Sequence, residues 1–415
     1  MTVSAPRKPE KEKMMLSLLA ENASSALRRV ATLAVSLVIV SGCAAFAQTP
    51  QTTRIKFANV ADSTQGLSQF SQFPAINNHG AVAFIATQSD TKQGVFKWDD
   101  RGLRTITSTA DERFSLFTDD VVINPAGVVG FRAILTTGRR AAGIFTSDGS
   151  DIKTIVNSTD QGLSGPSVGA PSINASGTVA FQAARSGLTS TIIFTGNGGP
   201  LTTVLDALNS NFKSFGAVAI NSAGQIVFNG TQKDRTAGIF VVTSKREGTE
   251  KDGASGSTNL IDIVDTNNPD FFGFGDPVIN DAGVVADSGG GGLHEEIFSA
   301  DAKGITARTD PASPIFADFE HPSINNHGAV GFSTFETDGG QGIFVELTGG
   351  TSPVAVLQTG DTLFGSTVTA VSVGRFAFND HFRLAFEYEL EDGRSGIATA
   401  YVQVERNDQD EQSEN

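Results

Sequence analysis

The sequence predicts an all-β protein, a seven-bladed β-propeller built from four-stranded blades. Three features carry that expectation. A nine-residue phrase returns seven times, turn-forming and β-forming residues follow each other in a fixed succession between its copies, and the chain ends hold complementary fragments of a blade. The phrase reads INNHGAVAF at Asn77, INPAGVVGF at Asn124, INASGTVAF at Asn174 and INSAGQIVF at Asn221. It continues as INDAGVVAD at Asn280, INNHGAVGF at Asn325 and, most altered, FNDHFRLAF at Asn379. Successive asparagines lie 47, 50, 47, 59, 45 and 54 residues apart, a period that suits a four-stranded unit in a repeat array.

Each period divides into four strands. The first ends on Ile-Asn. Asn-x-x-Gly then makes the turn, with Asn bonding back to the backbone and Gly tolerating a left-handed conformation. On this reading His79 and His327 are turn residues. The second strand is the alternating Val-Ala-Phe, and the third is a Gly-Ile-Phe family that includes Gly94-Val95-Phe96, Gly143-Ile144-Phe145 and Gly342-Ile343-Phe344. The fourth is β-branched, as in LRTIT from Leu103, IKTIV from Ile152 and LIDIV from Leu260. The residue before Asn is large, Ile in six copies and Phe378 in the seventh; the one before it is small or medium, from Ala75 and Val122 to Ala377. Alternation sends these to opposite faces of one sheet. A bulky face can then stack on the flat face of the next copy, as propeller blades require. The insertion at residues 244–257, SKREGTEKDGASGS, accounts for the longest spacing and reads as a solvated loop.

The chain ends favour closure. The seventh copy runs through a third strand and passes into the acidic tail ERNDQDEQSEN, residues 405–415, without a fourth strand. RIKFANVAD, residues 54–62, precedes the first copy and looks like the missing strand. Pairing the two closes a ring over residues 54–404 and removes two exposed sheet edges. An open β-solenoid is the alternative.

Composition narrows the function classes. The chain has 415 residues with 45 Gly and 30 Phe but a single Cys, which excludes an intrachain disulfide or a multi-cysteine metal cluster. Its formal charge is −15, and without the first 47 residues it is 24 − 42 = −18. So acidic a body repels nucleic acid and anionic lipid, and favours cations or neutral ligands. Residues 1–47 read as an export signal. Arg28-Arg29 precede the apolar run VATLAVSLVIV, too short for a comfortable membrane span. Two processing routes follow. Val40-Ser41-Gly42-Cys43 resembles a lipobox that would lipidate Cys43, whereas Ala45-Phe46-Ala47 fits cleavage before Gln48. Translation can start at Met1, Met14 or Met15. The expected location is the periplasm or outer membrane as a lipoprotein, or the exterior.

The repeated asparagine phrase resembles that of the bacterial choice-of-anchor tandem-repeat NxxGxxAF family, and the likeness runs from about residue 54 to 404. The resemblance implies a surface or secreted repeat protein without catalytic residues. Two copies depart from the pattern: Asp287 stands in place of Phe in the fifth, and Phe382 in place of the turn Gly in the seventh.

Function is expected where the repeat varies. Four residues before each Asn, where the first strand is expected to begin at the channel, stand Phe73, Asp120, Ala170, Ala217, Asp276, His321 and Arg375, with Asp119 and Glu320 beside them. Asp120, Asp276, His321, Arg375, Asp119 and Glu320 are therefore candidates for binding a cation or small polar ligand. The competing reading is that these charges only meet solvent at strand ends. The segment DSGGGGLHEE adds Asp287, His294, Glu295 and Glu296 as candidate metal ligands, for Ca²⁺ through the carboxylate oxygens or a transition metal through the His. No ordered metal-binding spacing accompanies them, and no cofactor is otherwise expected. Three functions remain: a non-catalytic binding or structural module at the cell envelope, a hydrolase or lyase acting on a glycan or other polymer at the channel mouth, and a Ca²⁺-stabilised propeller. The expected partner is a protein or a small polar or cationic ligand, and the expected state is a monomer.

Overall fold

The computed structural model describes residues 52–138, 140–243, 259–291, 294–301, 303–347 and 351–405. The signal region with Cys43, the 244–257 insertion and the tail beyond Glu405 lie outside them. The described residues form seven antiparallel sheets in chain order, and no α-helix occurs among them. Blade 2 shows the plan: Phe114–Ile123 lines the channel, followed outward by Val129–Leu135, Ala142–Ser147 and Ile152–Asn157. The propeller expectation holds. Blade 7 is completed by the other end of the chain, because Thr52–Asp62 pairs antiparallel with Ser395–Glu405 from Thr52 opposite Glu405 to Asp62 opposite Gly396. The closing strand starts two residues earlier than the sequence suggested.

The Asn-x-x-Gly turns form as expected. In every copy the fourth residue donates its N–H to the Asn carbonyl, at 2.9–3.1 Å. The six turn glycines have φ between +79° and +83°, and Phe382 takes φ +54° in the seventh. That conformation costs an L-residue roughly 1–2 kcal/mol. Phe382 repays part of it by stacking on His327 of blade 6, with ring centroids 5.5 Å apart, and by packing on Phe378.

The asparagines do more than turn the chain. Each Oδ1 accepts a backbone N–H two or four residues on, as Asn325 does from His327 and Ala329. Each amide Nδ2 also donates to the carbonyl of the next copy's Asn. The series runs Asn77 to Asn124, Asn174, Asn221, Asn280, Asn325 and Asn379, and Asn379 returns to Asn77 at 2.9 Å. Seven amides thus form a closed ring of inter-blade hydrogen bonds. An ionised Asp could make the turn but has no donor to give the next blade.

Phenylalanine fills the space between sheets. The motif Phe stacks on a cross-strand Phe in five blades, as Phe84 does on Phe96 and Phe228 on Phe240. A second pair, spaced F-x-x-F, completes the cluster in blades 2, 4 and 6: Phe114 with Phe117, Phe212 with Phe215, Phe316 with Phe319. In blade 5 the corresponding Phe271 and Phe274 surround Phe298, whose opposite partner is Asp287. The blade keeps its core although the motif Phe is gone.

Candidate functional site

The variable ring lies inside the channel, but not at strand starts. The inner strand continues upstream and is interrupted there. It splits into Leu67–Ser68 and Ala75–Ile76 in blade 1, and into Gly273–Phe274 and Val278–Ile279 in blade 5. Blades 2 and 4 instead show register shifts, between Phe117 and Val121 and between Phe215 and Val218. Extra residues at such a break re-aim side chains away from the pleat. The ring positions occupy these breaks.

Phe73, Asp276, His321 and Arg375 converge on one cavity with Pro74, Val121, Val122 and Phe376. His321 Nδ1 lies 3.8 Å from Asp276 Oδ2, and the His321 ring meets Phe73 edge-on at 5.2 Å. Arg375 is the central piece. It is only 7% exposed, it belongs to blade 7, and its guanidinium donates to the carbonyls of Pro277 at 2.6 Å and Val218 at 3.1 Å. Blade 4 stands opposite blade 7 in the ring, so this one side chain spans the channel. Phe376 packs beside it against core clusters of blades 1–2, 4–5 and 5–6. Gly374 permits the arrangement, because a Cβ there would come within 2.9 Å of Phe73. What remains is about 20 Å³ for the centre of a water-sized molecule, room for a single water. The channel is plugged.

The side chains of Asp119 and Asp120 lie outside the described residues. Glu320 turns into blade 6, where its Oε2 accepts from Ser333 Oγ at 2.7 Å. The set proposed for a metal is divided. Strand alternation puts Asp287 and Glu296 on one face of blade 5 and Glu295 on the other, and the His294 side chain is outside the described residues. Among the described residues no three His, Cys, Asp or Glu side chains come together to hold an ion.

Two of these carboxyls, and Glu387 of blade 7, are nonetheless strongly perturbed. Glu295 is pushed up to about 7 by burial and then by the carboxyl of Asp318, its hydrogen-bond partner in blade 6. Asp287 is fully buried, and burial raises it well above the usual carboxylate range. Its Oδ1 accepts from Ser288 N, while Oδ2 meets no hydrogen-bond partner. Glu387, 6% exposed, is raised to about 8 by burial and then by the charge of Glu389.

At the other mouth the Asn turns surround an open cup of about 160 Å³ floored by the Ile ring and Phe378. On one side Asn78, Asp380, Asn326 and Asp281 are linked in succession. Asp380 accepts from both asparagine amides at 2.5 and 3.0 Å, and Asn326 reaches Asp281 at 3.3 Å. His79 Nδ1 lies 2.9 Å from the Pro125 carbonyl, so this turn histidine also ties two blades together.

The chain matches the Family of unknown function (DUF7453) over residues 60–405. It belongs to that family. No curated protein matches it. Among solved structures it is similar to prolyl oligopeptidase B from Galerina marginata, at 11% identity with a TM-score of 0.52, covering 82% of this chain and 51% of that one. It is also similar to a structure from a study of two prolyl endopeptidases, at 13% identity, a TM-score of 0.51, and 82% and 51% coverage. The β-propeller domain of the trilobed protease from Pyrococcus furiosus matches at 13% identity and a TM-score of 0.48, over 81% of this chain and 96% of that one. This chain thus spans about half the length of the two prolyl peptidase structures. At such identities the likeness is one of fold.

Proposed function

We propose that this DUF7453 protein is an extracytoplasmic, non-catalytic β-propeller that acts as a binding or structural module at the cell envelope. The filled channel carries the reading. A hydrolase working at the mouth would need a substrate-sized space between carboxylates, and Arg375 and Phe376 occupy that space. Surface connections and blade faces are then the parts free to bind. Export follows from the leader at residues 1–47, with Cys43 as lipid anchor or Gln48 as the mature first residue. Among the described residues no helix is long and apolar enough to cross a membrane.

The test is to offer the purified mature protein chromogenic glycosides, esters and peptides beside its Glu295→Gln and Asp276→Asn variants. Equal background rates are expected from all three. Turnover that either substitution abolishes would overturn the non-catalytic reading. Fractionation with intact mass of the mature chain checks the location, and an unprocessed cytoplasmic chain would overturn that part.

A further inference from the structure

Blade 5 departs from the repeat at Asp287, and one side of the same blade carries a groove. The connection entering the blade (residues 266–277), the start of its second hairpin and its outermost strand, Gly304–Ala307, enclose a groove of about 640 Å³. Pro269, Phe271, Phe272, Ile305 and Pro311 supply an apolar lining, and Asp270 and Glu296 supply two carboxylates. Phe272 is 71% exposed, more than any other large hydrophobic side chain among the described residues, and Ile305 is 38% exposed. Isolated exposed apolar residues need no explanation, but a concave group of them marks an interaction site.

The polar side has a sign. Burial and then the charge of Asp270 push the Glu296 carboxyl up. No Lys or Arg among the described residues forms an ion pair with either carboxylate. A cation placed between them would relieve that repulsion, and the acidic body would steer it in. The lining strand Gly304–Ala307 is the last of its sheet. Its outer edge therefore offers backbone groups to an extended chain.

We propose that this groove binds an extended protein segment that sets an apolar side chain against Phe272 and Ile305 and a neighbouring Lys or Arg against Glu296 and Asp270. The inference rests on the binding-module reading and names its surface and the chemistry of its partner.

A peptide array tests it. Each spot pairs Leu, Ile or Phe with Lys or Arg at every spacing up to about four residues, the reach of a short extended segment. Control spots carry Glu for the basic residue or Ser for the apolar one. The full mature protein should bind apolar-basic spots and neither control. For the best such peptide in solution, Phe272→Ser and Glu296→Gln should each weaken binding about fivefold or more. Leu116→Ser, an exposed change on blade 2, should not, and all three variants should keep the parental melting midpoint. No bound spot, equal capture by Ser-for-apolar spots, or unchanged affinity in the groove variants would each overturn the proposal. Turnover in the substrate panel that Glu295→Gln or Asp276→Asn abolishes would instead overturn the reading beneath it, so the two failures are distinguishable.

Discussion

Replacing Glu387 by Gln should stabilise the propeller at neutral pH and leave it nearly unchanged in acid. Glu387 follows the motif Phe386 in Arg383–Leu390, the second strand of blade 7, and is 6% exposed. Nearby, the Ser372 hydroxyl donates to the Gln72 carbonyl at 2.8 Å. Ser372 stands opposite Glu387 in the sheet, and its hydrogen bond to the carboxyl offsets part of the rise that burial causes; a glutamine side chain can keep a hydrogen bond to the hydroxyl. The carboxyl titrates near 4.5 when unfolded and is raised to about 8 in the fold. A raised value means the native state binds the extra proton. Its stability contribution is complete below about pH 4.5 and is lost as pH climbs towards 8. At about pH 7 the proton must be taken up some 2.5 pH units above the unfolded value, a cost of about 3 kcal/mol. Gln removes that cost but leaves an amide to be satisfied, so the expected gain is about 1–3 kcal/mol at neutral pH and under about 0.5 kcal/mol near pH 4. Urea unfolding of both proteins at about pH 4, 7 and 8.5 reads the difference. The same gain at all three pH values, or a loss at neutral pH, would refute the reasoning.

Other perturbations address the ring and its closure. Asn280→Ala removes an amide bond to Asn325 O at 3.0 Å and two acceptor bonds, from Ala282 N and Val284 N; it should cost about 2–4 kcal/mol by urea unfolding, and a loss below about 0.5 would deny the amide ring a structural role. Arg375→Met should lower the thermal midpoint, because the carbonyls of Val218 and Pro277 lose their bridging donor inside the channel. A chain beginning at Leu67 lacks the strand that pairs with Ser395–Glu405 and should self-associate in light scattering; a monomer with the parental midpoint would show that closure is dispensable. Chelator should not shift the midpoint, whereas a drop of several degrees would favour the Ca²⁺-stabilised alternative.

Much of this was legible because it is local. Asn-x-x-Gly specifies a turn within four residues, and Val-Ala-Phe alternation specifies a strand within about as many, so seven copies predict seven blades. The spare strand at residues 54–62 and the missing one after 404 were also readable, since each is a fragment of a counted unit. The F-x-x-F pairs were equally present in the sequence, at Phe114, Phe212, Phe271 and Phe316, and aligning the segment ahead of each phrase would have exposed them. Asp287 and Phe382 looked like defects. The structure accommodates both, one opposite Phe298, on which Phe271 and Phe274 pack, and the other through contact with His327.

The candidate site was legible only as a set of positions. Counting back from each Asn found Asp276, His321 and Arg375, which do meet. It could not show that Arg375 closes the space they surround, nor that Glu295 leaves its neighbour Glu296 to pair with Asp318.

By itself, then, the sequence determined the repeat unit, its number and the way the ring closes, because turn chemistry and strand alternation act between residues a few positions apart. Tertiary structure alone decided what fills the channel, that each asparagine serves two blades, and that a groove opens on blade 5. Those outcomes depend on contacts such as Arg375 with Val218, 157 residues apart, whose partners meet only after seven nearly equivalent sheets have taken their places around one axis.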